Sequence, residues 1–188
     1  MPKTSFPSFL LFVILTITAG SACSHKFDPN ILDLDFYQWN LWEDTEADPA
    51  NMLPSCGWED LHRGKGKLVR IPAPLGAYFP DKEASAVFWY HCRFTLPEQW
   101  EERAISLLLK EAGPEVRIFL NEVEVGFFQG KITFEVDVTE DIYYTRDNHL
   151  SIRISNPPGG LTDDVSGITG TIQIIPELDV DRHLESEE

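Results

Sequence analysis

Phe88-Trp89-Tyr90-His91-Cys92-Arg93-Phe94 is the stretch from which the fold is read. In an extended chain successive side chains point to opposite faces, so Phe88, Tyr90, Cys92 and Phe94 share one face and Trp89, His91 and Arg93 the other. A strand with one wholly apolar face belongs on a core. The same period of two recurs along the chain. Ile105, Leu107 and Leu109 share a face, as do Val116, Ile118 and Leu120. Ile132, Phe134, Val136 and Val138 alternate with Thr133, Glu135, Asp137 and Thr139; Leu150, Ile152 and Ile154, then Ile168, Ile172 and Ile174, repeat the pattern. Turn signals such as Glu111-Ala112-Gly113-Pro114 and Asn156-Pro157-Pro158-Gly159-Gly160 divide the strands. No long amphipathic helix competes, and Pro97-Glu98-Gln99-Trp100 reads as one helical turn. About eight strands without βαβ spacing predict an all-β fold, an antiparallel β-sandwich of jelly-roll type.

Outward from this core the pattern weakens. Residues 24–55 mix Trp39 and Trp42 with Asp, Glu and Pro, and read as a loop-rich segment with one or two short strands laid across a sandwich of residues 56–176. Residues 177–188 form an acidic tail. At the other end, Phe9–Ile17 is an apolar run bounded by Ala19-Gly20-Ser21-Ala22, with Lys3 the only charge before residue 25. Such a run is about half the ~20 residues that cross a bilayer as a helix, so residues 1–22 read as a secretory signal. Gly20-Ser21-Ala22-Cys23 resembles a bacterial lipobox, with Gly20 where an aliphatic residue is usual; lipidation at Cys23 and ordinary signal cleavage both stand. Either way the chain is expected to be extracytoplasmic, touching membrane only through a lipid anchor.

Composition limits function. The 188 residues carry 15 basic and 31 acidic side chains, a net charge of −16, which repels nucleic acids and anionic lipid surfaces. An α/β barrel needs ~250 residues and does not fit. In an oxidising compartment Cys56 and Cys92 are free to pair if Cys23 is lipidated, although Cys92 on a core strand needs no partner. The five histidines, His25, His62, His91, His149 and His183, show no metal-ligand spacing, so the sequence does not point to a zinc site. No nucleophile elbow, Cys/His nucleophile pattern or phosphate loop occurs.

Several blocks in fixed order carry a resemblance: Trp58; Val69-Arg70-Ile71-Pro72; the Trp89-Tyr90 strand; Val116-Arg117-Ile118-Phe119-Leu120-Asn121; Phe134-Glu135-Val136-Asp137-Val138-Thr139; Asn148–Ile154; and Gly167-Ile168-Thr169-Gly170. Together they resemble the N-terminal sugar-binding domain of glycoside hydrolase family 2, over about residues 56–175. The resemblance implies a galactose-binding domain-like jelly roll and an accessory, non-catalytic role, because that family's catalytic glutamates lie on a barrel; no catalytic residue carries over. Asn121-Glu122 stands where the family usually has Asn-Gly, and since Glu adopts positive φ only at a cost, a different turn is expected there.

Sugar recognition needs aromatic faces for the apolar side of a pyranose and short polar groups for its hydroxyls. The candidates are Trp39, Trp42 and Trp58, with Asn156, Asp163 and Asp164 around the Pro157–Ser166 loop. For each tryptophan, core packing is the competing assignment. Asp163-Asp164 reads as a solvated turn, as a sugar-hydroxyl site, or as oxygen ligands for a structural calcium ion, the one cofactor the sequence suggests. The expected partner is a neutral glycan, or otherwise another protein of the cell envelope, and a remnant of a glycoside hydrolase is the third reading.

Overall fold

The computed structural model describes residues 28–48, 51–80, 86–156 and 166–177. The signal expected at residues 1–22, Cys23, Asp163, Asp164 and the tail beyond Glu177 lie outside the described residues. Among the described residues there are thirteen strands and one short α-helix: β1 Leu32–Asp33, β2 Trp39–Glu43, α1 Trp58–His62, β3 Lys67–Val69, β4 Ala73–Pro74, β5 Val87–Phe94, β6 Ile105–Leu109, β7 Ala112–Gly113, β8 Glu115–Leu120, β9 Val123–Gln129, β10 Phe134–Asp137, β11 Asn148–Ser155, β12 Gly167–Ile168 and β13 Ile172–Pro176. Every pairing is antiparallel. One sheet has the order β1-β13-β6-β10, a second β3-β2-β5-β11-β8-β9, and a small third sheet β4-β12-β7. Among the described residues no helix is long and apolar enough to cross a membrane.

The core lies where the alternation points. Phe88, Tyr90, Cys92 and Phe94 of β5 join Val116, Ile118 and Leu120 of β8 and Leu150, Ile152 and Ile154 of β11, facing Ile105, Leu107, Leu109, Ile172 and Ile174 of the four-stranded sheet. Fully burying each such side chain is worth about 1.5–3 kcal/mol, and their clustering makes this face the main source of stability. The helical turn expected over residues 97–100 is present as a single 3₁₀ turn, Glu98–Trp100, and it buries Trp100.

Two expectations change. The stretch before residue 56 is not laid over a finished sandwich: β1 pairs with β13, and β2 sits inside the six-stranded sheet between β3 and β5. Trp39 and Leu41 face the core as strand residues do, and the acidic residues around them mask that pattern in the sequence. The β8–β9 hairpin, for its part, uses the two-residue turn that glycine would suit. Asn121 has φ 50° and Glu122 φ 73°. Asn121 anchors the turn: its Nδ2 donates to the Asp141 carbonyl at 2.7 Å and to Asn148 Oδ1 at 2.9 Å, while its Oδ1 accepts from His149 N at 3.0 Å.

Candidate functional site

The outer face of the six-stranded sheet carries a second, smaller cluster. Trp89 and Val87 of β5 and Phe119 of β8 pack with Leu61, which α1 lays over them, and Trp42, Cys56 and Trp58 close its edges. The Trp58 ring meets Trp89 edge-on with centroids 5.6 Å apart and lies 5.3 Å from Phe119. A buried carboxylate organises one side. Asp44 accepts from Trp89 Nε1 at 3.1 Å, from Ser55 N at 3.1 Å and from Ser55 Oγ at 2.5 Å, which ties the chain before α1 to the sheet.

This packing brings α1 down beside a polar half of the same face. After α1 the chain turns through Gly64 and Gly66 into β3. Gly66 has φ 102°, and a Cβ there would fall 2.4 Å from the Leu41 carbonyl oxygen, so the turn seats directly on β2. The result is a cleft of about 400 Å³ between the helix end and strands β2 and β5, with Gln38, Asn40, Arg63, Arg93, His62 and His91 on its walls.

Three imidazoles meet at this place. His62 comes from α1, His91 from β5 and His149 from β11, and one ring nitrogen of each lies within 4.8 Å of those of the other two. His91 Nε2 and His149 Nδ1 are 3.1 Å apart, one donating and the other accepting. His62 stacks on His149 with centroids 4.1 Å apart and planes 18° from parallel. His62 Nε2 and His91 Nδ1 are buried without a hydrogen-bond partner. Glu122 brings a carboxylate oxygen to 3.8 Å from His62 Nδ1, and Arg93 pairs with Asp147 at 3.4 Å.

The electrostatics keep all three rings uncharged near neutral pH. Burial, seconded by His149, pulls His62 down to about 4. Burial, with His62, His149 and Arg93 adding to it, pulls His91 down to about 3. His149 is also lowered, chiefly by burial, with Asp147 and Glu122 opposing. Neutral imidazole is the form that accepts a hydrogen bond or ligates a metal ion.

The sequence-stated site residues separate. Trp39 has no accessible surface and donates Nε1–H to the Leu34 carbonyl at 2.9 Å, which removes it from any ligand surface: it points into the core because β2 is an interior strand. Trp42 and Trp58 are half-buried on the outer face as packing for Trp89 and Leu61, and Lys65 Nζ lies 4.8 Å from the centroid of the Trp42 ring. Asn156 is buried at the end of β11, accepting from Ser166 Oγ at 2.6 Å, with its Nδ2 unpartnered. Cys56 and Cys92 are both free thiols. They do not pair because they sit on opposite faces of the same sheet, Cys92 in the main core and Cys56 against the outer cluster. What sequence reading missed is the histidine cluster. His91 and His149 both stand at outward positions of strands whose inward residues are legible, so their shared face was accessible; His62 was not, because a five-residue helix leaves no periodic signal.

No protein-family model matches the chain. The chain is similar to a β-glucuronidase of Paenibacillus borealis, 27% identical over 129 residues that make up 61% of this chain and 21% of that protein. Among solved structures it is similar to the β-glucuronidase of Ruminococcus gnavus, in its complex with a C6-substituted uronic isofagomine (TM-score 0.62, 18% identity, 79% of this chain and 29% of that one). The complex of the same enzyme with D-glucuronic acid matches equally, at TM-score 0.62 and 18% identity, over 79% of this chain and 30% of that one. The structural likeness shows the fold. The chain spans about a fifth of the curated relative and under a third of the solved enzymes.

Proposed function

We propose that this chain is an exported carbohydrate-binding β-sandwich of the kind built into family 2 glycosidases, which holds a sugar without cleaving it. The observation that carries this reading is the similarity to β-glucuronidases over a sandwich that accounts for most of this chain and only a minor part of theirs. The cleft on the outer sheet face supports it chemically. Amide groups of Gln38 and Asn40 and guanidinium groups of Arg63 and Arg93 are the donors and acceptors that fork vicinal hydroxyls, and guanidinium also takes a carboxylate in bidentate fashion. A neutral sugar or a short uronic acid suits this lining, whereas the net charge of −16 works against long acidic polymers. The apolar leader supports export, with Cys23 as the residue for a lipid anchor.

A second reading has its own observation. Phe36 and Leu68 are 68% and 64% exposed and line one shallow groove with Tyr37, Arg70 and Tyr78, a surface suited to another envelope protein. A glycan array of neutral and uronic saccharides, probed with the purified chain, distinguishes the two. Binding that weakens roughly tenfold, about 1.4 kcal/mol, in Arg93→Ala and in Asn40→Ala supports the sugar reading. A blank array with folded protein overturns it, and retention of a partner protein that is lost in Leu68→Glu supports the second.

A further inference from the structure

We propose that His62, His91 and His149 form a site for a late first-row transition-metal ion, zinc being the best fit, on the outer face of the six-stranded sheet. The proposal stands whether or not the cleft beside it takes a sugar.

The donor set selects the class of ion. Three imidazoles with no thiolate among them suit Zn²⁺, Cu²⁺ or Ni²⁺, while calcium and magnesium require oxygen ligands. The three come from α1, β5 and β11, elements far apart in sequence and brought to one point by the sheet register and by the seat of Leu61 under α1. One nitrogen of each already lies within 4.8 Å of the others. A tetrahedral zinc with bonds of about 2.1 Å needs neighbouring donors about 3.4 Å apart. His91 Nε2 and His149 Nδ1 stand at 3.1 Å. The remaining closure falls to rotation of the nearly parallel His62 and His149 rings about χ2, a soft torsion in histidine. The metal then replaces the hydrogen bond between His91 and His149, and the ring that donated it carries its proton on the other nitrogen.

The cluster also leaves buried polar atoms unsatisfied. As packing alone, this arrangement buries His62 Nε2 and His91 Nδ1 without partners, and a buried polar atom left unpaired is destabilising. A metal ion on His62 Nε2 removes the deficit at that atom. The side chain placed to orient the ring is Glu122, whose carboxylate is 3.8 Å from His62 Nδ1 and which holds φ 73° where glycine would be unstrained. A carboxylate behind a ligating imidazole fixes its tautomer and sharpens the site. Three protein ligands leave a fourth position open, and because His62 and His91 line the cleft, that position faces it and takes water or an oxygen of a bound molecule.

The test uses the full chain, stripped with chelator, dialysed and titrated with zinc chloride. The expected result is one zinc per chain by elemental analysis and a raised thermal midpoint. Stoichiometric binding is lost in His62→Gln and in His149→Gln and retained in the His25→Gln/His183→Gln double variant. Glu122→Gln weakens binding about tenfold. Far-ultraviolet circular dichroism reports whether each variant is folded; should a variant unfold, the Co²⁺ derivative of the unaltered chain decides through its visible absorption. An intense tetrahedral spectrum supports the site. Weak octahedral absorption, less than one zinc per chain, or zinc binding that survives the His62 and His149 substitutions overturns it.

Discussion

Two cysteines illustrate how much a single residue's environment depends on which face of a sheet it meets. Cys92 has no accessible surface, and burial pushes its thiol up to about 12. Cys56 stands half-buried beside Trp58, its thiol also raised by burial and less so, with Lys65 opposing. The thiolate is the reactive form, so access and ionisation act in the same direction. Native iodoacetamide labelling followed by peptide mass mapping is expected to modify Cys56 first and to leave Cys92 unmodified until denaturant is added. A Cys56–Cys92 cross-linked peptide would contradict this. The same parity governs the histidines: Leu150 and Ile152 point inward, so His149 points outward, and β5 sets His91 on that same side.

At the scale of the element, α1 is five residues long and too short to hold itself together; isolated helices under about 12 residues are marginal in water. Packing holds it. Leu61 is fully buried against Trp89 and Phe119, and the turn behind it rests on the Leu41 carbonyl through Gly66. Leu61→Ala is expected to cost about 2–4 kcal/mol by urea unfolding and to expose Trp58 to a fluorescence quencher, because the cavity cannot refill from a helix of one turn. An unchanged midpoint would mean that the sheet's outer face is held by other contacts. The strands behave differently: β5, β8 and β11 each carry an apolar face sufficient to declare them in the sequence, whereas β2 is interior yet reads as loop because Asn40, Glu43 and Asp44 surround its two core residues.

Taken as a whole molecule, the sandwich closes only with its first strands. β1 edges one sheet and β2 fills the other, supplying Trp39 and Leu41 to the shared core, with Leu34 from the turn between them. Losing three such side chains, at about 2–5 kcal/mol each, is comparable with the ~5–15 kcal/mol net stability of a domain. A chain begun at residue 56 is therefore expected to show no cooperative thermal transition, while one begun at residue 24 unfolds in a single step by both tryptophan fluorescence and circular dichroism. A cooperative transition in the shorter chain would place the boundary where the composition alone suggests it. By itself the sequence determined the all-β class, the inward residues of the long strands, one helical turn at residues 97–100 and the acidic charge, because these follow from local periodicity and charge, which act over a few residues. The tertiary structure alone decided that β2 lies inside a sheet, that Cys56 and Cys92 face apart, that Trp39 is core, and that three scattered histidines share one place. Each of those depends on strand order and register between segments distant along the chain, which no local pattern encodes.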